Sequence, residues 1–210
     1  MGARQRCLRR PARRRPGIPF AAFGLAAAAV LAATGARAQN ITYGEVKLGV
    51  LAHDAHFLGG KERGADINPE IIMPSPVDNN WAAALPGWLR WAAQPRPTLG
   101  FEINTARETN QFYFGATWSW ELASNLLRPD DGIVFGIFFG PAFNDGEIAS
   151  SNPRRKSLGS YVLFRESFEL GYRITPVYQL SAFVDHVSNG GLARQNQSIN
   201  DVGMRFGIRF

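Results

Sequence analysis

The sequence predicts an all-β fold: an eight-stranded antiparallel transmembrane β-barrel. Three observations carry the prediction. Apolar and polar residues alternate over runs of about ten residues or more, the length a tilted spanning strand requires. The apolar parity of these runs is rich in Phe and Trp, and the chain ends on an aromatic, Phe210, that completes an alternating strand. A soluble β-sandwich also alternates, so strand length and aromatic content decide the solvent. No run after residue 38 approaches the roughly 18 apolar residues of a spanning helix.

The front of the chain reads as an export signal. Arg4, Arg6, Arg9, Arg10, Arg13, Arg14 and Arg15 precede an apolar run from Ile18 to Ala33, and Ala36-Arg37-Ala38 supplies small residues at a cleavage site. Residues 1–38 are therefore expected to be a signal peptide and residues 39–210 the barrel domain. Removing the eight arginines of that segment leaves 15 basic against 17 acidic residues, so the high overall basicity belongs to the signal. A nucleic-acid partner, which a basic chain would invite, is not expected. Cys7, the single cysteine, leaves with the signal, which excludes disulfides and thiol chemistry in the remainder.

Eight strand-like runs follow, at 41–53, 64–73, 98–105, 111–122, 132–143, 158–174, 177–188 and 198–210. Phe112, Phe114, Ala116, Trp118, Trp120 and Leu122 share one parity of the fourth. Val162, Phe164, Phe168, Leu170, Tyr172 and Ile174 share one parity of the sixth, with Ser160 and Glu166 as exceptions. An even count closes the sheet without a free edge, as hydrocarbon demands of backbone amides. Both chain ends then lie on the periplasmic side. Outer loops are expected at 54–63, 106–110, 144–157 and 189–197, and short inner turns at 128–131 and 175–176. The long connection 74–97, with Trp81, Trp88 and Trp91, is expected to rest at the inner membrane interface, where indole rings sit well.

The other parity is charged: Asp66, Asn68, Glu70, Glu121, Arg165, Glu169, Arg173, Asp185, Arg205 and Arg209. A barrel of eight strands has room for side chains but not for a wide pore. These groups read as an internal polar plug rather than a channel.

Function points to the seventh strand and the loop after it. His186 and Ser188 are two residues apart, so a strand puts both on one face. They share parity with Leu180, Ala182 and Val184, which places them on the lipid side near the outer end. A hydroxyl beside an imidazole is the minimum equipment for nucleophilic ester cleavage, and that address suits a lipid substrate. The plainer reading is two polar residues at a strand end. Asn200, on the lipid parity of the eighth strand, is the neighbour able to orient the imidazole; Asp201 should point inward. An amide orienter fixes tautomer and ring angle but stabilises the imidazolium less than a carboxylate would.

These residues resemble the PagL-type lipid A 3-O-deacylases, also described as acyloxyacyl hydrolases. The resemblance lies in His186-Val-Ser188-Asn189-Gly-Gly-Leu192 with Asn196 and the closing Val202-Gly-Met-Arg-Phe-Gly-Ile-Arg-Phe210. Further pieces are Gly49-Val-Leu-Ala-His-Asp54, Pro97-Thr-Leu-Gly100 with Asn104, Leu163-Phe-Arg-Glu-Ser167 and Glu169-Leu-Gly-Tyr172. The resemblance implies a bacterial outer-membrane enzyme that removes the ester-linked 3-O-acyl chain of lipid A, with no cofactor and no metal. It implies Ser188 as nucleophile, His186 as general base and acid, and Asn189 and Gly190 as oxyanion donors. The family's third triad member is an acid twelve residues past the serine; here that position holds Asn200. This departure supports the alternative of a catalytically silent structural or adhesive barrel.

Two further clusters have competing readings. Arg154, Arg155 and Lys156 form either a solvated loop tip or a contact for the phosphates of lipid A. His53, Asp54 and His56 carry metal-ligand chemistry, but residues this close at a strand end rarely converge on one point; a loop-edge cluster at the barrel lip is expected. The partner implied is lipopolysaccharide in the outer leaflet, and association of two barrels as a homodimer is left open.

Overall fold

The computed structural model describes residues 43–77, 79–86 and 92–210. The expected signal peptide, Trp88 and Trp91 lie outside the described residues. Eight strands follow in order: β1 (Glu45–Ala52), β2 (Ala65–Ile72), β3 (Arg96–Asn104), β4 (Gln111–Ser124), β5 (Gly132–Asn144), β6 (Val162–Arg173), β7 (Tyr178–Ser188) and β8 (Ile199–Arg209). Each pairs antiparallel with the next and β8 returns to β1, closing a barrel. Closure gives every strand two partners, so no row of amides is left open along the wall. A 3-10 turn (His56–Leu58) sits between β1 and β2, and a short helix α1 (Asn79–Ala84) between β2 and β3.

The period-two pattern is realised with its faces inverted relative to a soluble protein. In β1, Val46, Leu48 and Val50 are exposed while Glu45 and Lys47 are buried; in β8, Met204, Phe206 and Ile208 are exposed while Arg205 and Arg209 are buried. A continuous apolar belt of this kind needs a membrane to cover it. Aromatic rings stack across neighbouring strands on this face, as with Phe139 on Phe164 (6.4 Å), Phe135 on Phe168 (6.5 Å) and Tyr178 on Phe206 (5.8 Å). Such cross-strand pairs reinforce the register that the hydrogen bonds set.

The lumen is filled by paired charge. Arg205 donates to Asn68 (2.5 Å), Glu70 (3.0 Å) and Glu169 (3.2 Å), and its guanidinium lies 3.4 Å from the Phe183 ring centroid. Lys47 bonds Glu169 (2.8 Å), Arg96 bonds Glu45 (2.5 Å), and Arg165 bonds Glu102 (2.6 Å) and pairs with Asp185. Buried charges survive when paired and hydrogen-bonded, and these inward residues form such a plug; Arg209, at its end, donates instead to Gln179 (3.0 Å) and lies over the Tyr43 ring.

Three expectations are corrected in detail. The first strand is shorter than expected, and His53 begins the loop. Residues 158–161 are loop, not strand, with Leu158 fully buried; this removes Ser160 as an exception to the alternation. In β4 the register shifts between Glu121 and Ala123, a bulge that ends the simple parity, and Trp120 is 2% exposed despite its outward position. The β2–β3 connection returns against β4, where the Trp118 indole donates to the Ala92 carbonyl at 3.2 Å.

Candidate active site

The seventh and eighth strands bring the predicted residues together. Register pairs His186 with Asn200, and β7 ends at Ser188 one outward step above. His186 Nδ1 lies 2.7 Å from Asn200 Oδ1, and His186 Nε2 lies 3.1 Å from Ser188 Oγ. The Asn200 amide nitrogen faces Ser198 Oγ at 3.4 Å, which turns its oxygen to the ring. An amide oxygen only accepts, so Nδ1 carries the proton and Nε2 keeps its lone pair toward the serine hydroxyl. That is the tautomer a general base needs.

The loop after Ser188 is shaped by two left-handed glycines. Gly190 has φ 63° and Gly191 φ 81°, a region that costs other residues their Cβ contacts. A Cβ on Gly190 would also stand 3.3 Å from the Phe164 ring. With this turn the Gly190 backbone N–H points to Ser188 Oγ at 3.5 Å. Asn189 goes elsewhere. Its amide donates to the carbonyls of Leu158 (2.8 Å) and Gln195 (2.5 Å), its side-chain oxygen accepts from Gly191 N–H (2.9 Å), and its own N–H donates to Asn196 (3.2 Å). Of the two oxyanion candidates, Gly190 faces the serine and Asn189 anchors the loop.

The basic run also divides. Arg154 is exposed, whereas Lys156 is buried and donates to the carbonyls of Gly59 (3.2 Å) and Ser198 (2.9 Å) while pairing with Asp54 (3.0 Å). Arg155 pairs with Glu62, Glu108 and Glu147. Two of the three cations therefore hold outer loops together, and Arg154 remains the outward charge.

His53 is not a lip residue. It is buried, with Nδ1 on Asp66 (2.7 Å) and Nε2 on Glu62 (3.2 Å). Burial opposes its charge, but the hydrogen bonds to Asp66 and Glu62 and the nearby Asp201 prevail and push its pKa up to about 11. Glu62 is disfavoured as an anion by burial, yet bonds from His53, the Lys156 N–H and Thr109 bring it down to about 2. Exposed His56 lies apart, 3.3 Å from the Gly60 carbonyl. Among the described residues, His53, Asp66 and Asp201, and Glu102, Asp185 and Asp201, offer ligand atoms within 4.8 Å of one another. Both nitrogens of His53 are already engaged by carboxylates, and Arg165 lies against Glu102 and Asp185.

Sequence reasoning missed the tethers beneath the serine loop, Leu158 and Gln195, because backbone acceptors carry no residue signature. It also passed over Glu166, noted only as a charge on an apolar parity; register places it directly opposite His186.

The chain matches the lipid A 3-O-deacylase (PagL) family over residues 77–209. Among solved structures it is similar in fold to the outer membrane enzyme PagL, with TM-score 0.54 and 15% identity over 78% of this chain and 98% of that one. The N-terminal β-barrel domain of Pseudomonas aeruginosa OprF aligns with TM-score 0.48 and 10% identity, over 82% of this chain and 100% of that one. No curated protein matches the chain in sequence. With this match over most of its strands and the closed eight-stranded wall, the chain is a bacterial outer-membrane barrel that belongs to the lipid A 3-O-deacylase (PagL) family.

Proposed function

We propose that this protein is a serine esterase that removes the 3-O-acyl chain of lipid A in the outer leaflet. The observation that carries the reading is the chain of contacts Asn200–His186–Ser188 on the lipid-facing wall. Ser188 Oγ attacks the ester carbonyl while His186 Nε2 takes its proton. The carbonyl oxygen becomes an oxyanion within reach of the Gly190 N–H. His186 then gives the proton to the departing sugar hydroxyl, leaving the fatty acyl group on Ser188. Water, deprotonated by the same nitrogen, releases the hydroxy-fatty acid and restores the serine. Asn200 holds the imidazole in the required tautomer throughout. Within the basic run 154–156, Arg154 is the cation left to meet a lipid A phosphate.

The test is mass spectrometry of lipid A from cells expressing the full chain, with Ser188→Ala and His186→Ala beside it. The expected result is loss of one hydroxy-acyl chain with the wild type, abolished by either substitution, with barrels recovered in equal yield. Deacylation by both variants at the wild-type rate would overturn the serine mechanism. Unchanged lipid A with the wild type would favour the silent barrel.

A further inference from the structure

We propose that Glu166 supplies the negative charge that Asn200 cannot, acting through His186 as a positioning residue from the opposite neighbouring strand. This inference rests on the esterase reading and adds a residue to it. On one rung of the sheet, His186 has Asn200 of β8 as its Cα partner on one side and Glu166 of β6 on the other; Ser188 pairs with Phe164 one step outward. Directly opposed residues of an antiparallel pair hold their Cβ atoms about 5 Å apart on the same face. Glu166 therefore shares the lipid-facing surface with the imidazole.

The composition of that surface sharpens the point. Outward positions of the described strands read Val46, Leu48 and Val50 in β1, Leu99, Phe101 and Ile103 in β3, and Ile133, Phe135, Ile137 and Phe139 in β5. On β6, Glu166 interrupts Phe164, Phe168 and Leu170. A carboxylate in this belt is unfavourable on the lipid side, and its one rung is the rung of His186. Glu166, His186, Asn200 and Ser188 form a single polar patch in an otherwise apolar wall. The inward acids do not substitute for it, because Asp185 and Asp201 point to the lumen and are fully buried there.

The two neighbours of the imidazole then divide what a triad carboxylate does alone. Asn200 accepts the Nδ1 proton and sets the ring angle. Glu166 lowers the energy of the imidazolium while it holds the serine proton, through a low-dielectric surface where a charge acts at several ångströms. No proton moves to Glu166.

The experiment measures acyl release from lipid A by the purified full-chain barrel, for Glu166→Gln, Glu166→Asp, Asn200→Glu and the Asn200→Glu/Glu166→Gln pair. Folding of each is checked by heat-modifiable migration. Glu166→Gln is expected to lower kcat by roughly tenfold to a hundredfold with KM within about twofold. Glu166→Asp recovers part of that loss. In the Asn200→Glu background, where a second acid performs the task, Glu166→Gln is expected to cost no more than about threefold. Wild-type kcat in Glu166→Gln, a loss confined to KM, or the same loss in both backgrounds overturns the proposal. An active Glu166→Gln beside an inert Ser188→Ala would reject this role while leaving the esterase reading intact. Activity unaffected by Ser188→Ala would reject the reading itself.

Discussion

Two histidines of this barrel sit near its outer end and do opposite work. His53 is inside, fully buried, with a carboxylate on each ring nitrogen. His186 is on the outer wall, half-buried, with an amide on one nitrogen and a hydroxyl on the other. The first is clamped as a cation and has no lone pair to offer; it ties β1, β2 and their loop together. The second presents Nε2 to the Ser188 hydroxyl, placed to accept its proton. A carboxylate on each ring nitrogen makes an imidazole a structural cation; an amide on one nitrogen and a hydroxyl on the other suit it to act as a base.

Exchanging the roles gives the largest effects. His186→Gln is expected to reduce lipid A deacylation by about a thousandfold or more while moving stability by no more than about 0.5 kcal/mol, read by rate assay and urea titration. His53→Gln should do the reverse. Taking the shared cation from buried Asp66 and Glu62, which keep only their hydrogen bonds from Asn104, Thr109 and Lys156 and the contact with Arg155, is expected to destabilise the barrel by about 3–5 kcal/mol, with activity per folded molecule within a few-fold. A large activity loss in folded His53→Gln barrels would break the distinction.

The wall of the site comes next. Gly190→Ala, forced into the left-handed region against Phe164, is expected to displace the N–H and lower kcat by about tenfold to a hundredfold. Asn200→Ala removes one hydrogen bond of about 1.5 kcal/mol and should cost on the order of tenfold. Asn200→Glu should raise the rate, since a carboxylate orients and also stabilises the imidazolium; a slower enzyme would argue that the amide is required as it stands.

The smallest effect concerns pH. His53 has its folded pKa raised from 6.5 to about 11, so its stabilisation is full below 6.5 and fades as pH climbs through 11. Glu62, lowered from 4.5 to about 2, contributes above 4.5 and loses its contribution as pH falls through 2. Trypsin cleavage after Arg155 and Lys156, whose loop hangs on Glu62, should therefore accelerate between pH 7 and pH 10 beyond the enzyme's own pH response. A cleavage rate that tracks trypsin alone would contradict the link.

The contrast between the two histidines also shows what the residues alone reveal. Along a strand, periodicity is rigid: counting from Leu180 to His186 and from Asn200 to Phe206 fixes both faces, and a short outer loop fixes which residues oppose each other. The contacts of His186 with Asn200 and Ser188 were legible for that reason. The environment of His53 was not, because Glu62 approaches through a loop and Asp201 through the return of β8 to β1, neither of which a period of two encodes. Lys156 looked like a surface cation for the same reason. Asn189 reads in sequence as part of the catalytic motif, yet its side chain is spent on backbone carbonyls in two loops.

Those loop tethers have a consequence for durability. The turn that carries Ser188 is fastened to the β5–β6 loop through Asn189 and Leu158, and through Gln197 and Ser157; Ala55 of the β1–β2 loop donates to the Asn200 carbonyl. The wall below is knit by a full ladder of strands, but this crown depends on a handful of buried bonds between separate loops. Warming or mild denaturant should silence the proposed esterase activity while the cylinder still migrates as folded, so inactivation and unfolding will be separate events on a temperature scale.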